Sequence, residues 1–350
     1  MLALLGPPSP EIAFRFCQAH LILRSSSNHR FKWTDRTLDC KTAEKPKESR
    51  VMTAKERLSR IDAEIAAQQA VPAQNMMAEF ALPKLKAAPA KKYKLLADGD
   101  SWFDYPLGQD VLDYLNNYFR HPVTKLARAG STLNELVYGP GDLLLSDPSQ
   151  GTTRLTEVVK KLREQKFDAY LFSGGGNDIA GPEFFSFLNH AASHLANPNV
   201  DVLHGVVSAT FKKAYEDMID VLQMVAKQQG IKLPVFVHGY DYPWPDGRGA
   251  IALGIAGPWF DPTFQKKGYP FDNNNLQELQ NRRRILNRFI DAFNAMLDAL
   301  VQEYPGVVHK VPTLGTLPKI EQWANELHPT NPGFLAIAWK FNDALYGVLG

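Results

Sequence analysis

Cysteine is nearly missing from this chain. Its 350 residues hold two, Cys17 and Cys40, and none beyond. A disulfide framework, a thiol nucleophile and a cysteine-based metal centre are therefore excluded from residue 52 onward. Long apolar runs are missing too, since none reaches the ~18–20 residues that a membrane-spanning helix requires. Charge of one sign is not in excess: 39 Lys+Arg against 37 Asp+Glu leaves a net of +2. Neither nucleic acid nor an anionic membrane surface is implied as a partner by that balance. Several enzyme signatures are also absent. The chain has no P-loop, no His-Glu-x-x-His, no Gly-x-Ser-x-Gly elbow and no Gly-x-Gly-x-x-Gly between strand and helix. Phosphate cradling by a Walker loop, zinc proteolysis, the main α/β-hydrolase pattern and dinucleotide binding each lose their usual mark.

What is there is an ordinary globular composition, 45% hydrophobic and 22% charged, long enough for one large α/β domain with insertions. Residues 1–51 carry 9 Lys+Arg against 5 Asp+Glu and mix Pro, Ser and basic residues without periodicity. They read as a disordered leader or as sequence upstream of the true start, because Met52-Thr-Ala-Lys-Glu-Arg opens like an N-terminus. Without the charged n-region and longer apolar h-region of a secretory signal, a cytoplasmic location is expected. In residues 52–92, Leu58, Ile61, Ile65 and Ala66 make one helical stripe, and Pro72, Pro83 and Pro89 mark a linker. The folded domain is expected over residues 93–350.

Within it, strand and helix patterns alternate. Strands are predicted at Lys94–Ala97, Pro122–Ala127, Ala169–Ser173, Pro234–His238 and Gly306–Val311. Helices are predicted at Val111–Phe119, Thr153–Arg163, Val206–Gln229, Leu276–Gln302 and Phe334–Leu349. Five short strands separated by helices imply a five-stranded parallel sheet covered on both faces, an α/β three-layer sandwich. Residues 239–275 break the rhythm, being rich in Gly, Pro and aromatics. An aperiodic insertion of that length and apolarity reads as a lid or pocket wall.

Four polar groups fall at strand ends or just before the last helix: Ser101 in Gly99-Asp100-Ser101, Gly130 in Arg-Ala-Gly-Ser, Asn177 in Gly-Gly-Gly-Asn-Asp178, and His328 in His-Pro. In open α/β sheets, ligands bind outside the carboxyl ends of the strands. Acyl transfer by a serine needs a nucleophile, a base in reach and donors aimed at the developing oxyanion.

These blocks, in this order, resemble those of the SGNH/GDSL hydrolases, over roughly residues 93–349. The resemblance implies a flavodoxin-like three-layer αβα fold and a serine esterase without metal or cofactor. It implies Ser101 as nucleophile and His328 as general base. The oxyanion hole it implies comes from the Ser101 N–H, the Gly130 N–H and the Asn177 side chain. The implied substrate is a small-molecule or carbohydrate ester. An acyltransferase on the same site, or a glycan- or acyl-ligand-binding protein with a degenerate triad, are the alternatives.

One position departs from that family. Its usual Asp, three residues before the histidine, is Asn325 here, followed by Glu326. Asn325 can accept the histidine N–H through its carbonyl but offers no charge. A backbone carbonyl or Glu326 could orient the ring instead, although adjacent residues point in different directions.

Other residues have plainer readings. Asp98 and Asp100 are expected to bond local backbone, and Asp178 to serve the structure. Trp102, Asp104 and Tyr105 follow the nucleophile closely enough to line a pocket. Tyr240, Tyr242 and Trp244, just after the fourth strand, are expected either as lid packing or as an apolar or sugar-stacking subsite. Ser131 lacks the Asp-Gly-Asp approach, and His190, His194, His204 and His238 have no metal-ligand spacing.

Overall fold

The computed structural model describes residues 91–139, 154–250, 257–270 and 276–350. The expected leader and nearly all of the helix-and-linker segment lie outside the described residues, as do 251–256 and 271–275 of the insertion.

The domain opens with strand β1 (Leu95–Gly99), all five residues of which are buried. Asp110 caps helix α1 (Val111–Asp113) through a reciprocal bond with Asp113. The helix then widens into a π-turn at Tyr114–Tyr118. Strand β2 (Val123–Lys125) leads to α2 (Leu133–Val137), which starts on a Thr132–Glu135 capping box. Helix α3 (Arg154–Glu164) and strand β3 (Ala169–Ser173) follow. A composite helix then runs through α4 (Val200–His204), a π-stretch at Gly205–Phe211, and α5 (Lys212–Gln228). After β4 (Val235–His238) come the short α6 (Asp261–Lys266) and the long α7 (Leu276–Glu303). Strand β5 (Val308–Val311) and α8 (Asn331–Leu349) close the chain.

All strand pairs are parallel, in the order β2-β1-β3-β4-β5. This is the flavodoxin-like order. Helices α1 and α8 form one covering layer, and α2, α3, α5 and α7 the other. The buried runs Leu95-Leu96-Ala97 and Val235-Phe236-Val237 follow from that double cover. Strand order reverses beside β1, so the crevice beyond its C-terminal end is where a ligand site is built. Gly99 allows β1 and β3 to approach there: a Cβ at its φ of +155° would lie 2.4 Å from the Ser173 carbonyl oxygen.

Five strands and five helices occupy the expected stretches, with shifted ends. The helix expected from Val206 begins at Val200, and the one expected from Phe334 begins at Asn331 behind its Thr330 cap. Helices α2 and α6 were not expected. Each is one to two turns long, too short for a hydrophobic period to register, and α6 opens with a proline in the Gly- and aromatic-rich insertion. No helix of the described residues is long and apolar enough to cross a membrane.

Candidate active site

Ser101 follows β1 by two residues and is buried, as is the whole Asp98–Phe103 stretch. His328 arrives from the opposite end of the chain, on a tight turn before α8. Trp323 and Pro329 pair as an antiparallel bridge, while Ala324 N–H donates to the His328 carbonyl at 2.8 Å. Thr330 N–H donates to the Gln322 carbonyl at 2.8 Å, which closes the turn. The imidazole is thereby carried to the nucleophile loop, with His328 Nε2 2.7 Å from Ser101 Oγ.

The other ring nitrogen, Nδ1, lies 2.9 Å from Asn325 Oδ1. That oxygen also accepts the backbone N–H groups of Leu327 at 3.0 Å and His328 at 2.9 Å. Three donors on one atom identify it as the carbonyl oxygen, so Nδ1 carries the proton and Nε2 is free to accept from Ser101. Of the readings left open by the sequence, the geometry puts Asn325 on the ring. The Tyr105 ring stacks on His328 at 4.7 Å between centroids, and Trp259 meets it edge-on at 5.6 Å. Burial among these groups pushes the His328 pKa down to about 3. Among the described residues no carboxylate bonds the ring to hold it up.

Glu326 is not a partner of His328. Its fully buried carboxylate accepts four backbone N–H groups of the insertion: Gly247 (3.0 Å), Trp259 (2.6 Å), Phe260 (2.7 Å) and Asp261 (3.1 Å). Three of these donors lead into α6, whose first turn has unpaired N–H groups to offer. Burial raises the Glu326 pKa to about 7 while the four donors pull it down. Glu326 therefore clamps the insertion onto the same turn that carries His328. Glu326→Gln keeps the shape but turns an amide NH2 toward backbone donors. It is expected to cost about 2 kcal/mol in unfolding by urea, with kcat/KM falling as the Trp259 wall loosens.

The two glycine blocks are tied to each other beside Ser101. Asn177 lines the cavity at Ser101, and its Nδ2 donates to the Ser131 carbonyl at 3.0 Å, leaving one amide N–H. Gly130 sits in the exposed turn after β2, with φ +81° and open space where a Cβ would stand. Its loop is tied to β1 by Arg128 N–H donating to the Gly99 carbonyl at 2.9 Å. Asp104 accepts the Ala129 N–H at 3.0 Å and pairs with Lys125. It therefore braces the Gly130 loop and lies outside the cavity lining, contrary to the expectation of a pocket residue.

The expected aromatic subsite divides. Trp102 and Tyr240 do line the cavity. Tyr242 and Trp244 do not: Tyr242 bonds Asp291 at the surface, and Trp244 packs against the Arg283 guanidinium at 3.8 Å. Asp241 and Pro243, which alternate with them along the extended chain, do line the cavity, so Tyr242 and Trp244 point away from it.

Beneath the nucleophile lies a buried polar chain that residue patterns did not reveal. Tyr240 N–H donates to His238 Nδ1, so His238 Nε2–H donates to Ser173 Oγ at 2.9 Å. Ser173 donates in turn to Asp100 Oδ1 at 2.7 Å. Tyr240 O–H donates to Asp100 Oδ2 and accepts from Gly176 N–H at 3.0 Å. One tyrosine thus ties the residue before Ser101 to the residue before Asn177. Burial pushes the His238 pKa down to about 3 and raises that of Asp100. Asp98 accepts the adjacent Gly99 N–H at 2.9 Å, as expected, and also pairs with the distant Arg154 at 2.7 Å; Asp178 accepts the Leu133 N–H at 2.7 Å. Among the described residues no three His, Cys, Asp or Glu side chains gather as a metal group.

No protein-family model matches the chain, and no curated protein matches it either. Solved structures do resemble it. A member of the lipolytic G-D-S-L family from Veillonella parvula shares 12% identity at a TM-score of 0.37, covering 71% of this chain and 96% of its own. A carbohydrate esterase of family 3 from Talaromyces cellulolyticus shares 12% at 0.39, covering 73% and 97%. A family two carbohydrate esterase from Clostridium thermocellum, in complex with cellohexaose, shares 13% at 0.35, covering 76% and 68%. At identities and scores this low, function has to come from the atoms of the site.

Proposed function

We propose that this chain is a serine esterase of the SGNH/GDSL type, hydrolysing a carboxylic ester through an acyl-serine. What supports this reading above all is the 2.7 Å contact between Ser101 Oγ and a His328 Nε2 that is free to accept. In the proposed sequence Ser101 Oγ attacks the ester carbonyl carbon while its proton passes to Nε2. The carbonyl oxygen takes the electron pair, facing the Ser101 N–H, the Gly130 N–H and the remaining Asn177 amide N–H. Collapse breaks the bond to the alcohol oxygen, which receives the proton from Nε2. Water then attacks the acyl-serine, again giving its proton to Nε2, and the acid leaves as Ser101 regains its hydrogen. Asn325 holds the proper tautomer throughout and faces the transient imidazolium with a dipole rather than a charge.

The neutral Asn325 favours a second reading, a binding protein that does not turn over. Labelling with a fluorophosphonate separates the two, because only an activated serine displaces fluoride from phosphorus. Wild-type protein is expected to label, and Ser101→Ala and His328→Ala are not. Absence of Ser101-dependent labelling would leave the binding reading in its place.

A further inference from the structure

The cavity at Ser101 is walled by a helix. Leu286, Phe289, Ile290 and Phe293 of α7 face it together with Ile179 and Phe260. Their spacing along α7 is that of a single helical face. The volume is about 70 Å³, well under the roughly 150 Å³ of an apolar cavity that admits a benzene ring. A sugar ring does not fit there. A short chain does.

The polar side chains around the cavity point to the same guest. Asp100 is engaged by Trp102 N–H, Ser173 and Tyr240, and the Tyr240 hydroxyl by Asp100 and Gly176. Asp241 accepts from Tyr242, Gly315 and Leu317 backbone. The indole N–H groups of Trp102 and Trp323 go to the Leu327 and Leu317 carbonyls. Ser101 and Asn177, both at the reacting end, are what remains for a ligand. A hydroxylated guest would lose its water bonds without replacement, at a cost of about 1–3 kcal/mol for each group left unpaired.

We propose that this cavity is the acyl pocket, taking an unbranched acyl chain of about two to four carbons, and that the α7 face sets its length limit. The alcohol side of the ester, sugar or otherwise, then lies outside it. The proposal rests on the serine-esterase reading above. Ile290, half-buried on α7, is the position at which to move the wall with least harm to the core.

The test measures kcat/KM on p-nitrophenyl acetate, butyrate and hexanoate, with fluorophosphonate labelling of Ser101 in every variant. Ile290→Ala lengthens the pocket and is expected to raise the hexanoate-to-acetate ratio about tenfold. Ile290→Phe fills it and is expected to lower the butyrate-to-acetate ratio by about the same factor. Opposite shifts from one position would not follow from simple destabilisation, which lowers all three esters together. If Ser101 labels in both variants and neither ratio moves by more than about twofold, the acyl pocket lies elsewhere. It also lies elsewhere if the variants change only the selectivity among acetylated sugars. If wild-type Ser101 does not label at all, it is the esterase reading that fails.

Discussion

Ser101→Ala and His328→Ala are each expected to lower kcat on p-nitrophenyl acetate by about 10⁵-fold, with the double variant no worse than either alone. The non-additivity follows from the contact itself. Ser101 is a weak nucleophile until Nε2 takes its proton, and Nε2 has no other proton to move, so removing either partner removes the same step. What survives is stabilisation of the oxyanion and binding of the ester. Those depend on the Gly130 and Asn177 loops, which neither substitution touches. A double variant much slower than both singles would mean that the two side chains act separately, and would sink the acyl-serine route.

Asn325→Asp is expected to raise kcat/KM about tenfold near neutral pH, the largest gain in rate any single change should bring. Asn325 Oδ1 already accepts the ring N–H and two backbone N–H groups, so the carboxylate inherits every acceptor role. The added charge then stabilises the imidazolium by the ~1–1.5 kcal/mol that separates a charged from a neutral hydrogen bond. The change also moves the pH profile. In the wild type, burial holds His328 near 3, so its basic form persists and the acid limb of kcat/KM lies well below the usual 6.5 of histidine. A carboxylate at 325 raises that pKa, and the acid limb moves up with it. The gain therefore shrinks as pH falls. Stability moves in the matching sense. A histidine held neutral in the fold loses its advantage as pH drops below its unfolded pKa, because the unfolded chain takes the proton first. Thermal melts from pH 7 to pH 4 are expected to fall less steeply in Asn325→Asp than in the wild type. An unchanged acid limb would mean that Asn325 does not orient the base.

The strands and long helices were legible because burial on both faces leaves plain apolar runs. Leu95-Leu96-Ala97 and the stripe of Leu276–Glu303 could scarcely be read otherwise. The gathering of Ser101, Asn177 and His328 was legible from the place of the first two just past strand ends and of the third just before the last helix. Three things were not. Glu326 is an acidic residue beside a histidine, and nothing local says that its partners are backbone groups some 65 to 79 residues away. Asp100, Ser173 and the His238–Tyr240 pair come from three separate segments, and their network exists only after the sheet has formed. The cavity wall on α7 carries the same spacing as an ordinary core face, so residue periodicity cannot tell a lining from a filling. Tyr242 and Trp244 fall to the packing reading for the opposite reason: aromatic clustering in sequence does not say which of two alternating sets of residues faces the crevice, and it is Asp241 and Pro243 that do.

The turn at residues 325–328 has a mechanical consequence. Four consecutive residues hold the ring of the base, anchor the insertion, fix the Trp102 indole through the Leu327 carbonyl, and supply the base itself. Such a segment has in effect one degree of freedom. Catalytic alignment and closure of the wall cannot drift apart, because each is a reading of the same hinge angle.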